Sequence, residues 1–193
     1  MKSNILVING HPDPQSYCAV LAAAYIEGAA GSGAVVRELR LSESSFEPNL
    51  KYGYRQRTEL EEELIEAQKL IRWAEHIVFV YPTWWGAMPA ILKGFIDRVF
   101  LPGFAFKYRE DSVYWDKLLK GKSARLIVTM DTPSWYNRWI YGHAGHKVMK
   151  RNILKFCGIT PVRVTEITPV KPSTETRRAV WLDQVKRLGS RRG

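Results

Sequence analysis

Short apolar runs alternate with longer stretches of helical periodicity along this chain, and the alternation predicts its layers. NILVIN at residues 4–9 is continuous and β-branched, the pattern of a strand buried on both faces. Ser16 stands as an N-cap for a helix running to about Ala30, with Val20, Leu21, Ala24 and Ile26 available for packing. Gly31-Ser32-Gly33 ends it, and AVVRELRL at 34–41 predicts an edge strand with partial alternation. Residues 42–57 have no period and predict an irregular surface excursion. Residues 58–74 predict a helix whose acidic first turns (Glu59, Glu61, Glu62, Glu63) suit its dipole. The stretch 77–100 predicts half of a βαβ unit: a strand, Ile77-Val78-Phe79-Val80-Tyr81, a break at Pro82, a turn, and a helix with Ile91, Leu92, Phe95, Ile96, Val99 and Phe100 on one side. Residues 101–109 are too broken for a helix. A fourth strand follows at 124–130, a loop at 131–136, a helix at 143–156 closed by Gly158, a fifth strand at 159–167, and a last helix capped by Ser173. This order predicts an α/β, doubly wound parallel sheet with helices on both faces, in one domain over residues 1–193.

Composition narrows the class. With 46% apolar and 25% charged residues the chain reads as globular. No apolar run approaches the ~20 residues of a membrane span, and the short apolar start leads directly into a strand rather than a signal peptide. A cytoplasmic protein without stable membrane insertion is the expectation. Cys18 and Cys157 form no CxxC and are expected to remain thiols, packed as small hydrophobes. The net charge of +10 and pI of about 9.7 raise nucleic acid as a partner. The basic residues are dispersed, however, apart from Lys186-Arg187 and Arg191-Arg192. No zinc spacing or RNA-binding signature accompanies them, so no nucleic-acid role is expected and phosphorylated cofactors account for part of the charge.

Three loops at the carboxyl ends of predicted strands carry the candidate chemistry, because open α/β sheets bind ligands there. The first, residues 10–18, ends at a helix N-terminus where free N–H groups and the dipole favour phosphate; it has neither GxxxxGK[ST] nor GxGxxG. A plainly capped helix is its alternative reading. The second, Pro82-Thr83-Trp84-Trp85-Gly86, suggests a flat aromatic ligand held against backbone, or ordinary core tryptophan. The third follows Thr129 and Met130. His76 reads as a capping or surface residue.

PTWWGAMPAILKGFIDRVFLPGFAF from Pro82, KFCG at 155–158 and the histidine-proline-to-serine loop at 11–16 together resemble the flavodoxin-like NAD(P)H:quinone oxidoreductases, the family of DT-diaphorase and its bacterial relatives. The resemblance spans nearly the whole chain. It implies a flavodoxin-like five-stranded sheet of order 2-1-3-4-5, bound FAD or FMN with FAD slightly preferred, NAD(P)H as co-substrate, and a homodimer with active sites at the subunit interface. The implied activity is two-electron hydride reduction of quinones or similar acceptors by a ping-pong mechanism. Carried over, His11, Ser16, Tyr17 and Cys18 look like the flavin phosphate loop, and Pro82, Thr83, Trp84, Trp85 and Gly86 like the loop along the flavin ring. Thr129, Met130, Asp131 and Thr132 occupy the place of a further ring-contacting turn. Phe106, Tyr108 and Trp85 resemble the substrate pocket. Tyr108 and His143 are the catalytic candidates, with His146 second to His143 and Arg178 near the cofactor's phosphates. An interface aromatic and a helix cap are the structural readings of Tyr108 and His143. Two other functions remain: a flavodoxin-type electron carrier, disfavoured by the +10 charge, and a regulatory flavoprotein subunit of a membrane transporter.

Overall fold

The apolar runs become strands β1 (Asn4–Asn9), β2 (Val35–Arg40), β3 (His76–Pro82), β6 (Ser123–Thr129) and β7 (Val162–Ile167), while β4 (Phe106–Tyr108) and β5 (Trp115–Lys117) form a separate antiparallel hairpin. The computed structural model describes residues 3–53, 55–56 and 58–191. Met1, Lys2, Arg57 and Arg192, assigned above to the chain start, the excursion and the basic tail, lie outside the described residues. The main sheet is parallel in the order β2-β1-β3-β6-β7. Counted without the hairpin, this is the expected 2-1-3-4-5. β3 is the central strand and all seven of its residues are buried, whereas β2 alternates because it is an edge.

The helices are α1 (Tyr17–Gly31), α2 (Glu62–Trp73), α3 (Ala90–Val99), α4 (Ser134–Trp139), α5 (Ala144–Lys147) and α6 (Glu175–Ser190); α5 runs on into a π-wound stretch, Val148–Lys155. One apolar cluster joins β1, β3 and β6 to α1 and α6 through Val7, Val80, Leu21 and Trp181. The other joins the opposite face to α2, α3 and the π-wound helix through Ile8, Phe79, Leu92 and Met149. α1 and α6 approach so closely at Gly28 that a Cβ there would stand 1.9 Å from the Lys186 carbonyl oxygen. Among the described residues no helix is long and apolar enough to cross a membrane.

Some elements differ from the sequence expectation. α2 starts at Glu62 rather than 58 because Arg98, 1% exposed, holds the preceding chain extended. Its guanidinium donates to the Glu59 carbonyl at 2.8 Å and the Glu61 carboxylate at 2.6 Å. Thr174, not Ser173, caps α6, accepting from the Arg177 amide. Ser173 instead accepts from Arg178 Nε at 2.9 Å. His76 is buried, not superficial, and its Nδ1 meets Ser123 Oγ at 2.8 Å, tying β3 to β6. The β4–β5 hairpin and α4 form where only irregular chain was expected.

Candidate active site

The loop after β1 is built by local side-chain bonds. The His11 amide donates to Asn9 Oδ1, the Asp13 amide to His11 Nδ1, and the Gln15 amide to Asp13 Oδ1. Ser16 closes it as the N-cap of α1, its hydroxyl accepting from the Ala19 amide. Among the described residues, the amides of Tyr17 and Cys18, in the first helical turn, donate to no backbone carbonyl. Arg178 lies over the Tyr17 ring at 5.6 Å, and the Tyr17 hydroxyl donates to the Arg178 carbonyl. Free amides, a helix dipole and a guanidinium at one corner suit a phosphate. Asn9 Nδ2, buried and without a partner among the described residues, adds a donor there. The donor set therefore fits the phosphate end of a flavin. Burial pushes the Cys18 thiol up to about 11 and Cys157 to about 12, so neither supplies a thiolate at neutral pH. Burial also lowers the pKa of His11 against the opposing pull of Asp13.

The second loop stands beside the first. Trp84 and Ala87 exchange backbone hydrogen bonds of 2.9 and 3.0 Å around a two-residue turn, with Trp85 at φ 51 and Gly86 at φ 75. Two positive φ values are the signature of a type I′ turn. A tryptophan rarely takes that conformation. Neither ring is core: Trp84 packs edge-on against His11 at 5.4 Å, and Trp85 is fully exposed. The end of β6 closes the third side. The Thr83 amide donates to the Thr129 carbonyl at 2.7 Å, and the Cys18 thiol meets Thr129 Oγ1 at 3.4 Å. Met130 is buried and bonded through its amide to Ile167; Asp131 Oδ1 accepts from the Lys171 amide, and Thr132 through its carbonyl from Thr168 Oγ1. Residues 11–18, 82–86 and 129–132 thus share one rim.

Four side chains that are scattered in sequence meet next to this rim. Glu166 Oε1 lies 2.7 Å from His146 Nε2, 3.2 Å from His143 Nδ1 and 3.0 Å from Asn137 Nδ2. Asn137 Nδ2 also stands 3.2 Å from His143 Nδ1 and 3.3 Å from His146 Nε2. The short His146–Glu166 contact requires a proton on Nε2 facing the carboxylate. The two Asn137 hydrogens then serve Glu166 and His143. Burial would raise the Glu166 carboxyl, but hydrogen bonds from His146, Ser134 and Asn137, with the His146 charge, hold it down at about 2. The two histidines and Glu166 are close enough to ligate a metal. The Asn137 nitrogen, however, already stands about 3 Å from all three ligand atoms, where a cation would have to sit. His143 is held at φ 53, ψ 39, ahead of α5, and its ring stacks on that of His146 at 5.3 Å. α5 presses on the tryptophan turn: a Cβ on Gly145 would lie 2.4 Å from the Gly86 carbonyl oxygen.

Asn137, Ser134 and Glu166 are missing from the sequence reading. Glu166 carries a usable signal, because Val162, Val164 and Glu166 occupy alternate positions facing the same side of an edge strand, and a carboxylate breaks that apolar register. Phe106 and Tyr108 are not brought to the rim. The hairpin hangs from the opposite, amino end of the sheet: the Leu118 amide bonds to Ala105 and Leu119 to Cys157, and Trp115 stacks on Phe156 at 4.4 Å. Phe106 is buried against Phe156 and Tyr108 is 63% exposed. A seven-residue strand, about 20 Å, separates them from Trp85 and His143 of the same chain.

A family profile described as a flavodoxin-like fold matches residues 3–188. The human ribosyldihydronicotinamide dehydrogenase [quinone] is 29% identical over 179 residues, covering 80% of this chain and 76% of that protein. An uncharacterized NAD(P)H oxidoreductase of Haemophilus influenzae is 30% identical over 165 residues, covering 82% and 80%. The match to a ribosyldihydronicotinamide dehydrogenase-like protein of Penicillium crustosum, 31% identical, spans 65% of this chain and 57% of that one. Among solved structures, Smu.1420 of Streptococcus mutans superposes with a TM-score of 0.84 at 34% identity, covering 97% and 99%. An FMN-dependent NADH-azoreductase of Bacillus anthracis, TM-score 0.75 at 20% identity over 98% of each chain, shares the fold.

Proposed function

This chain belongs to the flavodoxin-like fold family, and on that footing we propose that it is a flavin-dependent NAD(P)H oxidoreductase that passes two electrons to a quinone or a similar acceptor by a ping-pong route. The observation that carries the proposal is the shared rim: free amides at Tyr17 and Cys18, an outward tryptophan turn and a histidine hub lie side by side at the carboxyl ends of β1, β3, β6 and β7. The names of the relatives agree with it. When bound, a flavin supplies the hydride acceptor and donor that no side chain can provide. Ser16, the Tyr17 and Cys18 amides and Arg178 would hold its phosphate. Trp84, Trp85, Gly86 and residues 129–132 would border its ring. FMN is the flavin named for one neighbour. The preference for FAD finds no support, because these residues face the part that FAD and FMN share.

His143 is the proton donor to the reduced acceptor in this reading, with His146 behind it. Asn137 and Glu166 fix the two rings in place. Tyr108 and Phe106 reach such a site only from a second copy of the chain, so a homodimer is part of the proposal: each hairpin covers the partner's rim and walls the acceptor pocket. The test is anaerobic mixing of purified, flavin-loaded protein with NAD(P)H and menadione. Oxidation of NAD(P)H with parallel double-reciprocal plots supports the reading; no oxidation in the presence of bound flavin refutes it. Mixing inactive His143→Ala and Tyr108→Phe chains tests the dimer, since shared sites restore part of the activity.

A further inference from the structure

A cavity of about 510 Å3 opens beside the histidine hub and runs between β7 and the π-wound helix, lined by Lys147, Lys150, Arg151, Lys155, Val164 and Glu166. Its charge is one-sided. None of the four cations forms a salt bridge among the described residues, whereas Arg40, Lys93, Arg98, Arg109, Lys186 and Arg187 all do. The single carboxylate, Glu166, is already committed to His146, Asn137 and Ser134 and offers the lysines little. Lys147, Arg151 and Lys155 recur every four residues and so lie along one side of the helix. Lys147, the Lys150–Arg151 pair and Lys155 follow His143 in that order along α5 and the π-wound stretch. The cavity is thus a row of unneutralised cations that starts at the hub and leads away from it.

We propose that this trough is a phosphate-binding site for the reductant: it takes the pyrophosphate and any further phosphate of a nicotinamide dinucleotide whose ring is at the hub end. This rests on the oxidoreductase reading and goes beyond it by assigning the side chains that take the reductant's phosphates. Relatives of this chain are named both for NAD(P)H and for ribosyldihydronicotinamide, a reductant with the same ring and ribose but no phosphate. A row of four free cations rewards only the phosphorylated one. Charge-assisted bonds from Arg151 and Lys150 supply the affinity, and the screened attraction of Lys147 and Lys155 adds to capture from solution.

The experiment compares NADPH, NADH and ribosyldihydronicotinamide as reductants of the flavin-loaded protein and of a Lys150→Ala/Arg151→Ala variant, beside calorimetric titration of both proteins with ADP. The expected wild-type result is a higher kcat/KM for NADPH than for ribosyldihydronicotinamide. In the variant that ratio falls about tenfold, the loss expected for charge-assisted hydrogen bonds, and ADP binding weakens in parallel. Arg151→Lys retains part of both. A ratio unchanged by the double substitution, or ADP binding equal in the two proteins, overturns the proposal while leaving the oxidoreductase reading intact. If neither reductant is oxidised, that reading fails instead, and the ADP titration still decides whether the trough holds phosphate.

Discussion

Two segments leave the same rim of the sheet and meet their duties in opposite ways. The turn after β1 is short, caps itself with Ser16, and offers backbone amides. The segment after β6 is long and broken into α4, α5 and a π-wound stretch, and it works through side chains: Asn137, His143 and His146 converge on Glu166 from β7. A backbone site tolerates most substitutions because every residue carries an amide. A side-chain hub fails when one member leaves, because the others are then buried without partners. Backbone amides can contribute to anchoring a phosphate, whereas moving a proton needs a titratable side chain.

That contrast can be broken in order of size. Gly145→Val drives a side chain into the Gly86 carbonyl; the expected loss is about 2–3 kcal/mol, read from thermal or urea unfolding, with the tryptophan turn displaced. Asn137→Leu keeps volume but removes the central donor, leaving Glu166 and His143 short of partners; about 2 kcal/mol is expected from the same measurement. Glu166→Gln tests the electrostatics. The wild-type carboxyl is depressed from 4.5 to about 2, so its stabilisation is complete above about pH 4.5 and drains away as pH falls toward 2. Roughly 1–2 kcal/mol of acid-dependent stability is expected to vanish in the variant, after allowing for its partial exposure. Ser16→Ala is the mildest. Its capping bond is long, at 3.4 Å, and about 0.5–1 kcal/mol is expected. Were Ser16→Ala to cost more than Asn137→Leu, the division between the two segments would be wrong.

The same division explains what could be read in advance. The buried strands are legible because NILVIN and Ile77 to Tyr81 are apolar without interruption, and Ser16 is legible because a cap is a local signal. The sheet order came with the resemblance rather than from the pattern. α4 is six residues of SWYNRW with only Asn137 buried, too short to show a period. β4 and β5 have three residues each and pack through Phe156, far away in sequence. The hub is invisible for a related reason. Glu166 lies 20 residues from His146, and only the turn of chain between β6 and β7 brings them together. His143 was singled out by the resemblance; its left-handed backbone and its stacking on His146 are tertiary facts.

The rim is proposed to grip a flavin by phosphate tail and ring edge. Its most direct test is the flavin content of gently purified protein, measured as visible absorbance and as the mass of the released compound. One flavin per chain is expected, bound more weakly once Arg178 is replaced by alanine. Protein that stays colourless after incubation with excess FMN and FAD would contradict it.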